Sequence, residues 1–277
     1  MRRQRLMAFG AVAMALSACG TGNATSPSAA ASSFPPTATP VPVELTVYAA
    51  ASLKGPLDAI VLAYEGGHPG TKLTVATDSS AALRTQIEQG APADVFLSAD
   101  TANPQKLVGG DLASGQAIPF AGNLLTVIVP TDNPANILSP LDLARSGVKI
   151  VAAGDEVPIT TYAAQAVANL AKQPGHPADF AARYQANVVS HEDSVKAVVA
   201  KIELGDGDAG IVYLTDAKGS TKVVPIEIPP AANVRADYAG VVMRASSHKA
   251  ASQEFLAWLA GPEGEAILSD FGFLPPA

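Results

Sequence analysis

From Glu44 onward the chain alternates short runs rich in β-branched residues with amphipathic runs of helical period. Residues 44–50, 72–78 and 93–100 have the length and composition of buried strands, and a segment with helical spacing of apolar residues follows each one. Strands that alternate with helices are joined by crossovers, which favours mostly parallel sheets with helices on both faces. The alternation therefore predicts an α/β fold that binds ligands at the carboxyl ends of its strands.

The same pattern predicts the other elements of a chain whose 277 residues suffice for one large domain or two lobes. Further strands are expected at residues 117–130, 149–154, 210–217, 222–229 and 236–245. Helices are expected at residues 52–65, 80–89, 104–108, 139–147 and 160–175, within 190–210, and at 248–273. Asn123 interrupts the long apolar run 117–130, as expected of a strand that crosses between lobes.

The first 18 residues have the pattern of a secretory signal peptide. Three arginines precede an apolar stretch, residues 6–16, that is too short to span a membrane as a helix. The sequence Leu-Ser-Ala-Cys at residues 16–19 resembles the lipobox of bacterial lipoproteins, in which the cysteine is lipidated and becomes the first mature residue. We therefore expect residues 1–18 to be removed and Cys19 to be lipidated. The alternative is a simple signal peptide in which Cys19 has no role.

Residues 19–43 are rich in Ser, Pro, Ala and Thr, which predicts a flexible tether behind the lipidated cysteine. The protein is then expected in the cell envelope, outside the cytoplasmic membrane and anchored by lipid. Removal of three of the 18 basic residues leaves 15 against 25 acidic ones, a net charge near −10. This charge argues against nucleic acid as a partner but does not exclude a small anion, because local donors decide such a site.

The sequence gives no support for a catalytic or cofactor-binding motif. Residues 205–210 match the dinucleotide pattern G-x-G-x-x-G, but they follow a predicted helix and precede a strand, the reverse of the required order. The four histidines are scattered without the spacing of metal ligands, and no G-x-S-x-G elbow is present. We expect no catalytic residue, no cofactor and no metal held directly by side chains. A remote alternative is an envelope serine hydrolase.

Small polar residues stand where predicted strands hand over to predicted helices. They are Ser52, Ser79, Ser80, Thr160 and Thr161. Each alone is typical of a helix N-cap. Together they repeat one arrangement, a hydroxyl beside the unsatisfied N–H groups at the positive end of a helix dipole. If these ends converge, they form an uncharged set of donors suited to an oxyanion.

Several segments resemble the bacterial periplasmic molybdate-binding proteins, the substrate-binding components of molybdate ABC importers. The segments are VYAAASL at 47–53, SSAALRTQIEQGAPADVFLSAD at 79–100, DEVPITTYA at 155–163, VKAVVAKIELGDGDAGIVYLTDA at 195–217 and FGFLPP at 271–276. The resemblance runs in order from about Glu44 to Pro276, and residues 86–100 and 209–217 are its most specific parts.

The resemblance implies an α/β, two-lobed periplasmic-binding-protein fold, type II-like, with the ligand in the interlobe cleft. We expect each lobe to be a mostly parallel sheet flanked by helices. Residues 44–121 and 226–277 are predicted to form the first lobe, and residues 122–225 the second.

The family's binding residues fall on five positions of this chain. Ser52 and Ser80 are expected to donate a hydroxyl and a backbone N–H, Ile159 and Val195 a backbone N–H, and Tyr213 its phenol. Ser80 is thereby predicted both to cap its helix and to bind the ligand, and Ser79 is the alternative residue for this contact.

The chain departs from the family beside Ile159, where the usual glycine and basic residue are replaced by Thr160 and Thr161. A β-branched residue resists positive φ, so the local loop is expected to differ. The threonine hydroxyls are predicted to cap the following helix, and the alternative is that they add a donor to the site.

The function implied is capture of molybdate, and of tungstate, for an ABC importer, with no chemistry. The expected partners are the oxyanion, the permease and ATPase subunits of the transporter, and the membrane through Cys19. The protein is expected to be a monomer. The rival within the same class is a binding protein for sulfate or another tetrahedral oxyanion.

Overall fold

The structure is a computed structural model that describes residues 42–277. The predicted signal peptide, Cys19 and nearly all of the predicted tether lie outside the described residues. Within residues 42–277, no helix is both long and apolar enough to cross a membrane.

The described part of the chain contains ten strands, nine α-helices and two short 3-10 turns. The strands are β1 (Val43–Ala50), β2 (Thr71–Asp78), β3 (Val95–Ser98), β4 (Ile118–Asn123), β5 (Leu125–Pro130), β6 (Ile150–Ala153), β7 (Val188–Glu192), β8 (Gly210–Tyr213), β9 (Val223–Glu227) and β10 (Ala236–Val242). The helices are α1 (Lys54–Gly67), α2 (Ser80–Glu88), α3 (Ala102–Gly109), α4 (Pro158–Leu170), α5 (Phe180–Ala186), α6 (Val195–Glu203), α7 (Leu214–Lys218), α8 (Lys249–Leu259) and α9 (Pro262–Asp270). The 3-10 turns are Ala51–Leu53 and Pro140–Ala144.

The first sheet has the strand order β2-β1-β3-β10-β4. Strand β1 pairs in parallel with β2 and β3, whereas β10 pairs antiparallel with β3 and β4. The inner strand β3 is buried along its whole length, while in the edge strand β2 only Leu73 is buried. Helices α1, α8 and α9 cover one face, and α2 and α3 cover the other.

The second sheet is built around β5, whose six residues are all buried. This strand pairs antiparallel with β8 on one side and β9 on the other. Strands β6 and β7 form a parallel pair, and a bridge between Ile150 and Ala209 connects that pair to the chain just before β8. The prediction of a mostly parallel sheet in each lobe is wrong, because two of the four pairings in the first sheet and both pairings of β5 are antiparallel. The antiparallel pairings all involve β5 or β10, the strands that follow the two crossings between the sheets.

The two sheets and their helices form two lobes joined by crossing segments, which confirms the predicted two-lobed α/β fold. The chain first crosses at Leu124, between β4 and β5, directly after Asn123. It returns in residues 228–235, between β9 and β10. The first lobe was predicted to resume at Ile226, but this residue still pairs with β5 in the second sheet. The exact lobe boundaries stay a prediction.

Two predicted helices differ from the structure. Residues 190–192 belong to β7, and the helix within 190–210 begins only at Val195, after the N-cap Ser194. The predicted helix 248–273 is divided into α8 and α9 at Gly261, because Pro262 starts a new helix at its first position.

Candidate functional site

The five residues predicted to bind a ligand all lie at or just beyond the carboxyl ends of strands. In the first lobe, β1 leads into the 3-10 turn that contains Ser52, and β2 leads to Ser80. In the second lobe, β6 and β7 precede the helices that begin near Ile159 and Val195, and β8 ends at Tyr213. All five are buried, with exposed fractions between 1% and 4%.

Ser52 does not cap helix α1, because the N-cap position belongs to Leu53 and has no side-chain hydrogen bond. Its hydroxyl instead lies 2.8 Å from the hydroxyl of Tyr238, which comes from β10 of the same sheet. The prediction that Ser52 is a helix N-cap is therefore wrong. The serine is held by a contact with a residue 186 positions away.

The adjacent serines at the start of α2 have different hydrogen-bond partners. Ser79 is the N-cap, and its hydroxyl accepts a hydrogen bond from the N–H of Ala82 at 3.2 Å. Ser80 is the first helical residue, and its hydroxyl accepts from the N–H of Ala99, just after β3, at 3.0 Å. The prediction that Ser80 caps the helix is wrong. Because its oxygen accepts from Ala99, its own proton remains available for donation to another acceptor.

The threonines beside Ile159 do not cap α4. This helix begins at Pro158, two residues before the predicted start, and its N-cap is Val157. The hydroxyl of Thr160 donates to the carbonyl groups of Ala153 and Gly154, at 3.1 Å and 2.7 Å. Thr160 therefore ties the first turn of α4 back to the end of β6.

Ile159 and Val195 occupy the first turns of α4 and α6. The N–H groups of a helix's first turn have no partner within the helix, and they lie at its positive end. In α6 the N-cap Ser194 accepts from the N–H of Ala197 at 3.3 Å, which leaves the N–H of Val195 outside the cap. Both positions are thus suited to donation from the backbone to an anion.

Helix α6 lies close to β8 and also against the 3-10 turn that carries Ser52. Gly210, at the start of β8, permits this approach, because a Cβ there would lie 2.8 Å from the Val198 side chain and 2.9 Å from the Val151 carbonyl oxygen. The packing places the N-terminus of α6 near groups from the first lobe.

The hydroxyl of Tyr213 is buried and has no hydrogen-bond partner among the described residues. Its ring packs edge-on against Tyr238, at a centroid distance of 5.7 Å, and against Tyr162, at 6.4 Å. Burial raises the pKa of Tyr213 well above its ordinary value, with smaller contributions from nearby phenols and carboxyls. The phenol is therefore protonated at neutral pH and can act as a donor.

Tyr238 and Tyr162 lie next to predicted site residues, and the sequence analysis did not name them. Tyr238 is fully buried and contacts both Ser52 and Tyr213. Tyr162, in α4, packs edge-on against Tyr213, and burial raises its pKa, with a smaller rise caused by Asp100. A signal was available for Tyr238, since a tyrosine within a predicted buried strand needs a partner for its hydroxyl.

An ion pair between a partly exposed lysine and a buried carboxylate joins α6, which begins at Val195, to α7, which follows Tyr213. The Nζ of Lys196 lies 2.8 Å from a carboxylate oxygen of Asp216, whose side chain has no exposed surface. Burial raises the pKa of Asp216, and Lys196 opposes the rise. The pair connects the first turn of α6 to α7, so it holds two of the proposed donors in a fixed relation.

Two clefts are lined by both lobes, and they differ in charge. One, of about 750 Å³, contains Ser79 and five carboxylates, Asp78, Asp155, Glu156, Glu192 and Asp193, with one arginine and one histidine. The other, of about 500 Å³, contains Ser52 and three lysines, Lys54, Lys196 and Lys218, with one aspartate. The basic cleft reaches Ser52, one of the five predicted ligand residues, whereas the acidic cleft reaches Ser79, the N-cap of α2.

The structure links three of the five predicted residues closely. Tyr238 touches Ser52 and Tyr213, and Val195 begins the helix that packs on the turn of Ser52. Within residues 42–277, no hydrogen bond joins Ser80 or Ile159 to these three. The same residues contain no group of three His, Cys, Asp or Glu side chains placed to hold a metal ion.

The fold and the strand-end donors define a class of extracytoplasmic binding protein. The family model of bacterial extracellular solute-binding proteins matches residues 45–274, and the chain belongs to this family. A curated relative is the molybdate-binding protein ModA of Mycobacterium tuberculosis, 34% identical over 84% of this chain and 85% of that protein.

Two solved structures share the fold. The periplasmic molybdate-binding protein of Azotobacter vinelandii has a TM-score of 0.69 and 24% identity, over 84% of this chain and all of that one. The sulfate-binding protein SubI of Mycobacterium tuberculosis has a TM-score of 0.74 and 19% identity, over 84% of this chain and 87% of that one. At these identities the likeness concerns the fold alone.

Proposed function

We propose that this protein captures molybdate, and also tungstate, outside the cytoplasmic membrane and presents it to an ABC importer. The observation that carries the proposal is the Tyr213 hydroxyl, which is buried and has no hydrogen-bond partner within residues 42–277, on a ring that packs against Tyr238, the neighbour of Ser52. A buried hydroxyl without a partner costs about 1–3 kcal/mol, and a ligand oxygen would offset that cost. The choice of molybdate rests on the similarity to the mycobacterial ModA.

The proposed mechanism is closure of two lobes around a dianion, without chemistry. Ser52 and Ser80 come from the first lobe, and Ile159, Val195 and Tyr213 from the second. Each is neutral at pH 7, so the ligand is held by hydrogen bonds and helix N-termini rather than by an opposite charge. Hydrogen bonds to a charged acceptor contribute about 1.5–3 kcal/mol each, which must offset dehydration of the ion.

Elemental analysis and native mass spectrometry of the purified protein test the ligand class directly. We expect bound molybdenum or tungsten, and a mass increment that is lost after denaturation. Sulfate is the rival ligand, and the fold shared with SubI is compatible with it. Sulfate that displaces molybdate at equal concentration would contradict the proposal.

Titration calorimetry of serine variants tests the site. Ser52→Ala and Ser80→Ala each remove one hydroxyl donor, and we expect molybdate affinity to fall about ten- to a hundredfold. Ser114→Ala is the control, since this serine lies in the loop between α3 and β4. Equal affinities in all three variants would mean that the two hydroxyls serve the fold alone.

A serine hydrolase is the alternative from another class. The serine hydroxyls of the site contact a phenol and a backbone N–H, Ser52 with Tyr238 and Ser80 with Ala99. Neither partner is a general base for activation of a nucleophile. We expect no mass change after incubation with a reactive fluorophosphonate, and a covalent adduct on either serine would overturn the proposal.

The proposed partners are the permease and ATPase subunits of the importer and, through the lipid on Cys19, the membrane. Residues 16–19 support the anchor, and the family is extracytoplasmic by description. A monomer suffices for this function, because both lobes of the site come from one chain.

A further inference from the structure

Two buried polar contacts lie at the first crossing between the lobes and in the strand next to it. Asn123, the last residue of β4, is fully buried, and its Nδ2 donates to the hydroxyl of Thr215 in α7 at 2.8 Å. Tyr238, in the neighbouring strand β10, is also fully buried, and its hydroxyl lies 2.8 Å from the hydroxyl of Ser52. The second contact joins a phenol of the first sheet to a serine proposed to bind the ligand.

The direction of the Ser52–Tyr238 hydrogen bond follows from what each proton can reach. The distance of 2.8 Å allows either hydroxyl to donate, and within residues 42–277 the Tyr238 hydroxyl has Ser52 as its one hydrogen-bond partner. If Ser52 donated to Tyr238, the buried phenol proton would have no acceptor among these residues, which costs about 1–3 kcal/mol. The phenol proton is therefore directed to the oxygen of Ser52.

A serine hydroxyl has one proton, and its direction decides whether the group donates to a ligand. If Ser52 gave this proton to Tyr238, it would present only lone pairs to an anion. We propose that Tyr238 is a positioning residue that donates to Ser52 and so directs the Ser52 proton towards the bound oxyanion. The inference rests on the proposed function, and it assigns to Tyr238 an effect that acts through Ser52.

A double-mutant cycle with Tyr238→Phe and Ser52→Ala distinguishes this role from a packing role. We expect Tyr238→Phe to weaken binding of molybdate about fivefold or more in the wild-type background, measured by titration calorimetry. In the Ser52→Ala background we expect the same substitution to change affinity less than about twofold, because no hydroxyl remains to be directed. Equal losses in both backgrounds, or no loss in either, would overturn the inference.

Tyr64→Phe is the matched control, since it removes a buried phenol oxygen from α1 of the same lobe. We expect this variant to bind with wild-type affinity, and a loss equal to that of Tyr238→Phe would overturn the inference. The cycle is measured with molybdate, tungstate and sulfate in parallel. A wild type that binds sulfate but not molybdate would refute the proposed function, and the cycle with sulfate would still decide the role of Tyr238. A wild type that binds none of the three would refute both.

Discussion

Replacement of Tyr213 by phenylalanine should change stability and affinity in opposite directions. In the free protein its hydroxyl is buried and has no partner within residues 42–277. A buried hydroxyl without a partner costs about 1–3 kcal/mol, and its removal leaves the ring and its contacts with Tyr162 and Tyr238 in place. We therefore expect Tyr213→Phe to stabilise the ligand-free protein by about 1 kcal/mol, a rise in Tm of about 2–4 °C.

The same substitution should weaken ligand binding. The phenol is protonated at neutral pH, because burial raises its pKa, and it is proposed to donate to a dianion shielded from water. Loss of a hydrogen bond to a charged acceptor costs about 1.5–3 kcal/mol, which corresponds to an affinity about ten to 150 times lower. Differential scanning calorimetry of the ligand-free protein and molybdate titration of the same preparation measure both quantities.

Tyr64 provides the control for this experiment. Its hydroxyl is also buried without a partner among the described residues, but it lies in α1, packed against Phe255 and Trp258 of α8. We expect Tyr64→Phe to give a similar gain in stability and no change in affinity. Wild-type molybdate affinity in Tyr213→Phe would refute the assignment of this phenol to the site, and a lower Tm than that of Tyr64→Phe would refute the stability argument.

Three further outcomes are expected. Lys196→Met should cost about 2 kcal/mol of stability at pH 7.5, since it leaves the buried Asp216 carboxylate unpaired, and less at pH 5 in urea unfolding. The loss is larger at the higher pH because burial raises the folded-state pKa of Asp216. The free-energy cost of the buried, ionised carboxylate therefore grows as pH rises through that pKa. Lys201→Met, whose partner Glu192 is less buried, should cost under about 1 kcal/mol at both pH values, and equal losses in the two variants would contradict the argument. Molybdate affinity should be nearly constant from pH 6 to 8, and phosphate, which carries a proton there, should bind at least about a hundredfold more weakly in competition titrations. Cys19→Ser should no longer fractionate with membranes, and identical partitioning of wild type and variant would exclude the lipid anchor.

The sequence by itself determined most of the order of the strands and helices and the polar residues at their junctions, but it did not predict α5, β7 or α7. The period of apolar residues predicts strands near β1, β2, β3 and β8, and the structure has them there. The resemblance on residues 79–100 and 195–217 also led to the solute-binding family, which the family match over residues 45–274 confirms. These inferences succeed because periodicity and strand-end position are local properties, readable without knowledge of packing.

Local patterns could not decide which hydroxyl performs which task. Ser79 and Ser80 are equivalent in a sequence pattern, but the N-cap Ser79 faces its own helix and Ser80 faces Ala99 after β3. The hydroxyl of Thr160 faces the end of β6 rather than the start of α4, because the helix begins two residues earlier than predicted. A shift of one or two positions at a helix start redirects the side chain, so capping patterns alone do not assign these groups.

Only the tertiary structure brought distant residues into the site. Tyr238 meets Ser52 across 186 residues, and Asn123 meets Thr215 across 92, because β10 returns to the first sheet while α7 remains in the second lobe. Contacts of this kind depend on which strands become neighbours and on how closely the lobes approach. Neither is a property of any local segment, which is why the sequence could mark Tyr238 as a buried tyrosine in need of a partner, whereas only the folded chain identified Ser52 as that partner.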